Sequence, residues 1–337
     1  PREERLANQT AWATHPAFTW QYTQDINGFD KTYELNGFWI GKFETTGTRT
    51  APTVKPNQHA NIGEYVGEFY SASKSIGVED KNNQYGGASS DDTTSGLKQN
   101  SHNLAISTSH MLKNSEWGAV AYLSASKYGA GVNNVQINSA YPSSSTDADG
   151  TSSRYGITGC GPSSNGSTST YTDGTALNAS TIESPTACSS NTARAYNGSL
   201  GVLASTTNNV YGVYDMSGGA WEYVMGNYST NLSQSGGSTT YMKTAAKPPY
   251  VDIYNITSNN SCTWNTSGSG CGGHALFETG SWGGGNSDFV YSGYPWFERG
   301  GDSLDGSGVE VFASGSYNGS YLTYIGFRVA LLAVPQG

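Results

Sequence analysis

The chain has 337 residues, enough for one large domain or two ordinary ones, with 35% hydrophobic and only 13% charged residues. So little charge excludes a disordered polyampholyte, and a net charge of −9 without any Lys/Arg cluster excludes a nucleic-acid surface. Bulk for burial comes from 23 Tyr, 10 Phe and 8 Trp, while 44 Gly among abundant Ser, Thr and Asn predict many turns, short strands and long loops.

The first 32 residues form an N-terminal extension with aromatic patches at Trp12 and Phe18–Trp20 but no helical or strand period. No apolar run reaches bilayer length and no signal peptide is read. The opening Pro1-Arg2-Glu3-Glu4 lacks Met, so the native N-terminus is expected upstream. Leu35–Thr46 reads as a hairpin-like turn followed by a strand, with Phe38, Ile40 and Lys42 on one face and Trp39, Gly41 and Phe43 on the other. Residues 47–97 are mixed and polar, with a short helix expected around Glu64–Ser73. The strongest helix is Asn114–Lys127. Asn114 or Ser115 is expected to cap it, Glu116 suits its positive end and Lys127 its negative end. Trp117, Val120, Ala121 and Ser124 share one face of that helix, with Leu123 flanking.

Residues 129–207 read as a Gly/Ser/Thr-rich insertion, an ordered surface excursion stapled by cysteines. Val210–Met225 restores apolar density around a Ser217-Gly218-Gly219 turn. Residues 275–331 alternate short apolar pairs with Gly-rich turns. No repeat or clean boundary is visible, so residues 33–333 are expected to form one irregular α+β domain with long insertions and little regular secondary structure.

Cys160, Cys188, Cys262 and Cys271 lie in stretches that look exposed, and no C-x-x-C spacing supports zinc. An even number of such cysteines favours disulfides and an oxidising compartment. Four cysteines allow three pairings; chain order favours Cys160–Cys188 and Cys262–Cys271, each closing a local loop.

The last sixty residues hold a fixed frame, Pro295–Gly301 and Gly326–Leu331, interrupted by residues that look interchangeable. Those are Asp302, Ser303, Leu304, Asp305 and Ser307, then Ser314, Gly315, Ser316, Tyr317 and Asn318, then Ser320, Tyr321, Leu322, Thr323 and Tyr324. Tyr supplies contact area at low entropy cost and small polar residues adapt their hydrogen bonding, as in antibody loops. Clustered loop aromatics mark an interaction site. With Glu298, these positions are the expected ligand-binding residues.

Four motifs in order carry a resemblance. Phe38–Thr46, Leu112–Trp117, Tyr214–Tyr223 and the pair Arg299-Gly300-Gly301 with Gly326-Phe327-Arg328-Val329 resemble the formylglycine-generating-enzyme (sulfatase-modifying factor) family of the C-type-lectin-like fold. His110–Leu123, Asn209–Gly219 and Ile157–Gly161 are similar to bacterial surface proteins of this fold, many with a pilin-like helix and a C-terminal segment varied by diversity-generating retroelements. That resemblance implies a displayed, adhesin- or receptor-type variable domain. Its ligand would be a protein or glycan on another cell, phage or host surface, and pilus assembly would run through an N-terminal segment upstream. Adenine-directed mutagenesis of Asn codons reaches the residue types at the interchangeable positions. Glu298 and Glu310 are not reachable, which implies fixed or differently templated sites.

No catalytic residue is expected. Catalytic members of the resembled family hold copper on a cysteine pair after the Arg-Gly-Gly, and no cysteine follows Cys271 here. His15, His59, His102, His110 and His274 lack metal-ligand spacing. Trp221 and Glu222 are expected to be structural, Trp221 plugging the core and Glu222 hydrogen-bonded internally. Arg299 and Arg328 are expected to bridge backbone carbonyls. No cofactor is expected; a structural calcium at Asp302 and Asp305 would lack the other ligands of a lectin motif.

Overall fold

The computed structural model describes residues 15–22, 31–73, 76, 109–131, 135–142, 156–162, 176–177, 188, 192–229, 232, 250–254, 273–276, 279, 287–303, 305 and 309–333. Among them, two helices and fourteen short strands make a mixed α+β architecture. In chain order these are β1 (Thr19–Tyr22), β2 (Lys31–Glu34), β3 (Gly37–Ile40), β4 (Thr46–Thr48), β5 (Ala51–Thr53), α1 (Val66–Ser73), β6 (Ser109–Met111) and α2 (Asn114–Ala125). They continue with β7 (Tyr141–Pro142), β8 (Ala176–Leu177), β9 (Trp221–Asn227), β10 (Asp252–Ile253), β11 (Trp296–Arg299), β12 (Ser314–Tyr317), β13 (Ile325–Phe327) and β14 (Val329–Ala333). No helix among the described residues is long and apolar enough to cross a membrane.

β9 is the axis. All seven of its residues are buried. One edge pairs antiparallel with β11, which pairs onward with β12. The other edge is covered piecewise, by parallel β13 at Trp221–Tyr223, a bridge from Lys113 at Met225, and parallel β10 at Gly226–Asn227. Strand alternation sends Trp221, Tyr223 and Met225 into one apolar cluster with Val66, Phe69, Trp296 and Phe327, where the Phe69 and Phe327 rings stack 4.7 Å apart. Val224 enters the opposite cluster with Trp117, Phe297 and Phe312. The buried Trp117 indole donates to Val311 O at 2.8 Å, satisfying its one polar atom. In a second sheet, C-terminal β14 lies between β3 and β6, so strands from opposite ends of the chain pair.

α1 forms where expected. α2 buries the expected face of Trp117, Val120, Ala121 and Ser124, while Leu123 is 46% exposed. Its N-cap is Lys113, not Asn114 or Ser115. The Glu116 carboxylate accepts the Lys113 N–H at 2.9 Å, Asp252 takes the Ser115 N–H at 2.7 Å, and the Asn114 amide donates to Tyr254 Oη. A carboxylate three residues on and one from β10 therefore do the capping work that the sequence assigned to local hydroxyl and amide groups.

Three other expectations need correction. The strand expected within Leu35–Thr46 is β3 and ends at Ile40; Trp39 does face away from Phe38 and Ile40, but it is 68% exposed, while Phe43 is buried beyond the strand end and does not share that face. Cys160 and Cys188 are bonded to each other, yet both are buried, packed with Ala140 and Ile157. The described parts of 129–207 are also not a surface excursion, because Asn138 and Gly159 hydrogen-bond the buried Asp215. Cys262 and Cys271 lie outside the described residues.

Candidate ligand-binding face

β11 and β12 set the geometry. Glu298 stands opposite Gly315 on β12 and Tyr223 on β9, and Trp296 stands opposite Tyr317. Paired residues share a face, so Glu298 and Tyr317 lie on the side of the sheet that holds Trp221 and Trp296. The Glu298 side chain lies across Gly315: a Cβ there would come within 2.6 Å of Oε1. Only glycine leaves that space.

After β11 the chain turns sharply through Gly300 and Gly301, both in the left-handed region, and is tied to the Ser-Gly-Gly turn. Gly218 N donates to Gly300 O at 3.4 Å and Ser303 N to Gly219 O at 3.0 Å. Asp305 accepts from the Trp221 indole at 2.5 Å and from Asp302 N at 3.2 Å. Asp302 and Ser303, expected to be exposed and interchangeable, are therefore buried, because polar residues can be buried when a turn satisfies their backbone. Ser314 is also buried, its hydroxyl donating to Asp288 O at 3.1 Å. Asp305 is exposed, whereas Leu304 and Ser307 lie outside the described residues.

The 318–324 loop is anchored at intervals. Val66 N donates to Gly319 O, Tyr223 Oη to Ser320 O and Trp221 N to Tyr324 O, while Ser320 N is capped by Asn318 Oδ1. Between these anchors Tyr321 stands 52% exposed, edge-on to Tyr65 at 5.5 Å. Ser316, Tyr317, Asn318, Ser320, Leu322, Thr323 and Tyr324 are half-buried, and Tyr317, Leu322 and Tyr324 pack on the first apolar cluster. Tyr317 stacks on Tyr294 (5.5 Å, 13°), which meets Tyr291 edge-on. The aromatic row thus extends to Tyr291, Tyr294 and Tyr65, none of them in the expected set. Tyr291-Ser292-Gly293-Tyr294 has the loop composition and was legible; Tyr65 arrives from a distant segment without a signal.

Burial first, then the negative charges of Asp305, Asp288 and Asp302, push the Glu298 carboxyl up to about 8. Its Oε2 is buried without a hydrogen-bond partner among the described residues. The same environment, burial first and then Glu298, Tyr317, Asp302 and Asp305, raises the Tyr324 phenol to about 12.

The other polar centre supports the frame. Arg328 donates to both Glu222 oxygens, Gly41 O and Tyr214 O, and Arg299 donates to Ala275 O. Trp221 and Glu222 are both buried, as their structural reading requires. His110 is paired with Glu116, and His274 with Tyr254; His102 lies outside the described residues. Among the described residues no group of three or more His, Cys, Asp or Glu is arranged to hold a metal. No family model and no curated protein matches this chain.

Proposed function

We propose that the chain is a C-type-lectin-like ligand-binding domain of a cell-surface protein, whose C-terminal loops form a recognition face varied by a retroelement. The observation that carries this reading is the Tyr291–Tyr294–Tyr317 row and Tyr321, half-exposed or exposed, on a backbone anchored to buried Trp221, Tyr223 and Trp296. Rigid loops lower the ordering cost of binding, and Tyr is a common hot-spot residue. The four motifs quoted above support the fold assignment, and the Cys160–Cys188 bond fits an oxidising compartment. Asp302, Ser303 and Ser314 belong to the frame in this reading; Asp305, Ser316, Tyr317, Asn318 and Ser320–Tyr324 form the variable face. Sequencing the 3′ end of the gene across one population tests it. Changes concentrated at those positions, with Trp296, Arg299 and Gly326–Val329 constant, support the reading, and a uniform segment overturns it.

A further inference from the structure

We propose that the Glu298 carboxyl, together with the stacked Tyr317 and Tyr294 rings, is a subsite for an arginine side chain of a protein partner. The inference rests on the binding-face reading above and names the chemistry of its occupant.

Three observations converge. Among the described residues, the charged groups acting on Glu298 from its surroundings are carboxylates: Asp288 ahead of β11, and Asp302 and Asp305 after it. The neighbouring cation, Arg299, is the next residue on β11 and so faces the other side, where it lies over Trp117. The carboxyl group is almost wholly buried, yet its Oε2 has no hydrogen-bond partner among the described residues. Such a group is costly unless something completes it. Gly315 provides the space that lets the carboxyl lie across β12. Beside it, the nearly parallel Tyr294 and Tyr317 rings present an aromatic surface, with Tyr294 41% exposed.

A guanidinium matches this arrangement better than an ammonium. Its planar fork pairs with a carboxylate while its face stacks on an aromatic ring. A neutral glycan would leave the carboxylates uncompensated. Glu298 must release its proton to solvent to pair with the guanidinium, so binding should strengthen as pH rises toward about 8. The titratable groups facing it are Asp288, Asp302, Asp305, Tyr223, Tyr317 and Tyr324.

Titration of the full chain with acetyl-arginine amide and its uncharged isostere acetyl-citrulline amide, followed by ligand-detected NMR, tests the inference. The arginine probe should bind at least about tenfold more tightly than the citrulline probe, the worth of one charge-assisted contact. Glu298→Gln should remove that preference and the pH dependence while the melting temperature holds or rises. Equal binding of the two probes, unchanged arginine affinity in Glu298→Gln, or no binding of either probe below roughly 50 mM overturns it. If charge discrimination is absent but Tyr317→Ala abolishes probe binding, the binding face stands and only the arginine subsite falls. If neither substitution changes probe binding, both fall.

Discussion

Arg328 and Glu222 form a fully buried ion pair: Nε lies 3.2 and 3.1 Å from the two carboxylate oxygens, and Nη2 lies 2.5 Å from Oε1. The same guanidinium donates to Gly41 O at 2.8 Å and Tyr214 O at 2.9 Å, joining the end of β3, the segment before the Ser-Gly-Gly turn, and β9. Two more buried carboxyls, Asp215 and Glu44, face this one cation. Arg328→Met should therefore cost about 3–5 kcal/mol, since it strands Glu222 without its partner. Arg328→Lys should recover only part, because an ammonium cannot span four acceptors in one plane. Urea unfolding of both variants checks this; a loss below about 1 kcal/mol for the Met variant contradicts it.

Glu44 is a second buried carboxyl beside Glu222. Burial first, then Asp215 and Glu222, raises it well above the ordinary range, and burial likewise pushes Glu222 up to about 7 against the pull of Arg328. Glu44 Oε1 accepts the Ala220 N–H at 2.9 Å. Glu44→Gln keeps that acceptor and should change stability by only about 1 kcal/mol or less. By contrast, Gly219→Ala places a Cβ 2.5 Å from that oxygen at a φ of +83° and should destabilise by more. Comparing the two variants by urea unfolding at one pH tests the assignment.

The raised Glu298 carboxyl sets a pH slope of stability. The unfolded chain ionises this group near 4.5, the folded chain near 8. Between those values the folded state holds a proton that the unfolded state has lost, so stability should fall as pH rises through that window. Below about 4.5 both states are protonated and this contribution no longer changes with pH. Glu298→Gln should flatten the slope and raise the melting temperature at pH 8 relative to the parent. A parent-like slope in the variant would remove Glu298 from this role.

Helix α2 was legible because Trp117, Val120, Ala121 and Ser124 recur at helical spacing; at β9 the sequence shows the return of apolar density around the Gly-Gly turn but no strand. Glu222 was legible as an internally bonded carboxylate and Arg328 as a carbonyl-bridging arginine because a buried charge has few alternatives, but their pairing with each other was not. The loop 302–305 was not. Asp302 and Ser303 look like solvent-facing residues; tertiary contacts such as the hydrogen bond from Ser303 N to Gly219 O carry them inside. Nor does composition reveal that Asn138 and Gly159 satisfy Asp215, since satisfying partners are chosen by tertiary proximity rather than sequence pattern.

The Cys160–Cys188 bond closes a 28-residue separation and is packed inside. Its removal by Cys160→Ala with Cys188→Ala should cost roughly 2–4 kcal/mol in the loop-entropy picture. Non-reducing peptide mapping should recover this pair, and a second peptide joining Cys262 to Cys271. Alkylation of four thiols in the native protein would contradict both pairings.

The separation of face from frame makes the sharpest prediction. Tyr321 is half-exposed and touches the fold mainly through Tyr65, and Tyr317 through Tyr294 and the edge of the first cluster. Tyr321→Ala should move stability by about 0.5 kcal/mol or less. Tyr317→Ala should cost somewhat more, because the ring is partly packed. On the proposed binding-face reading, both should abolish ligand binding. Trp296→Ala and Phe327→Ala remove fully buried rings and should cost about 3–5 kcal/mol each. Asp305→Ala falls between the two groups. The residue is exposed, yet it is the acceptor for the Trp221 indole, and losing a hydrogen-bond partner of a buried donor costs about 1–3 kcal/mol. Melting curves of the five variants order them directly. If Tyr321→Ala proves as destabilising as Phe327→Ala, that tyrosine is part of the core and the recognition face must lie elsewhere.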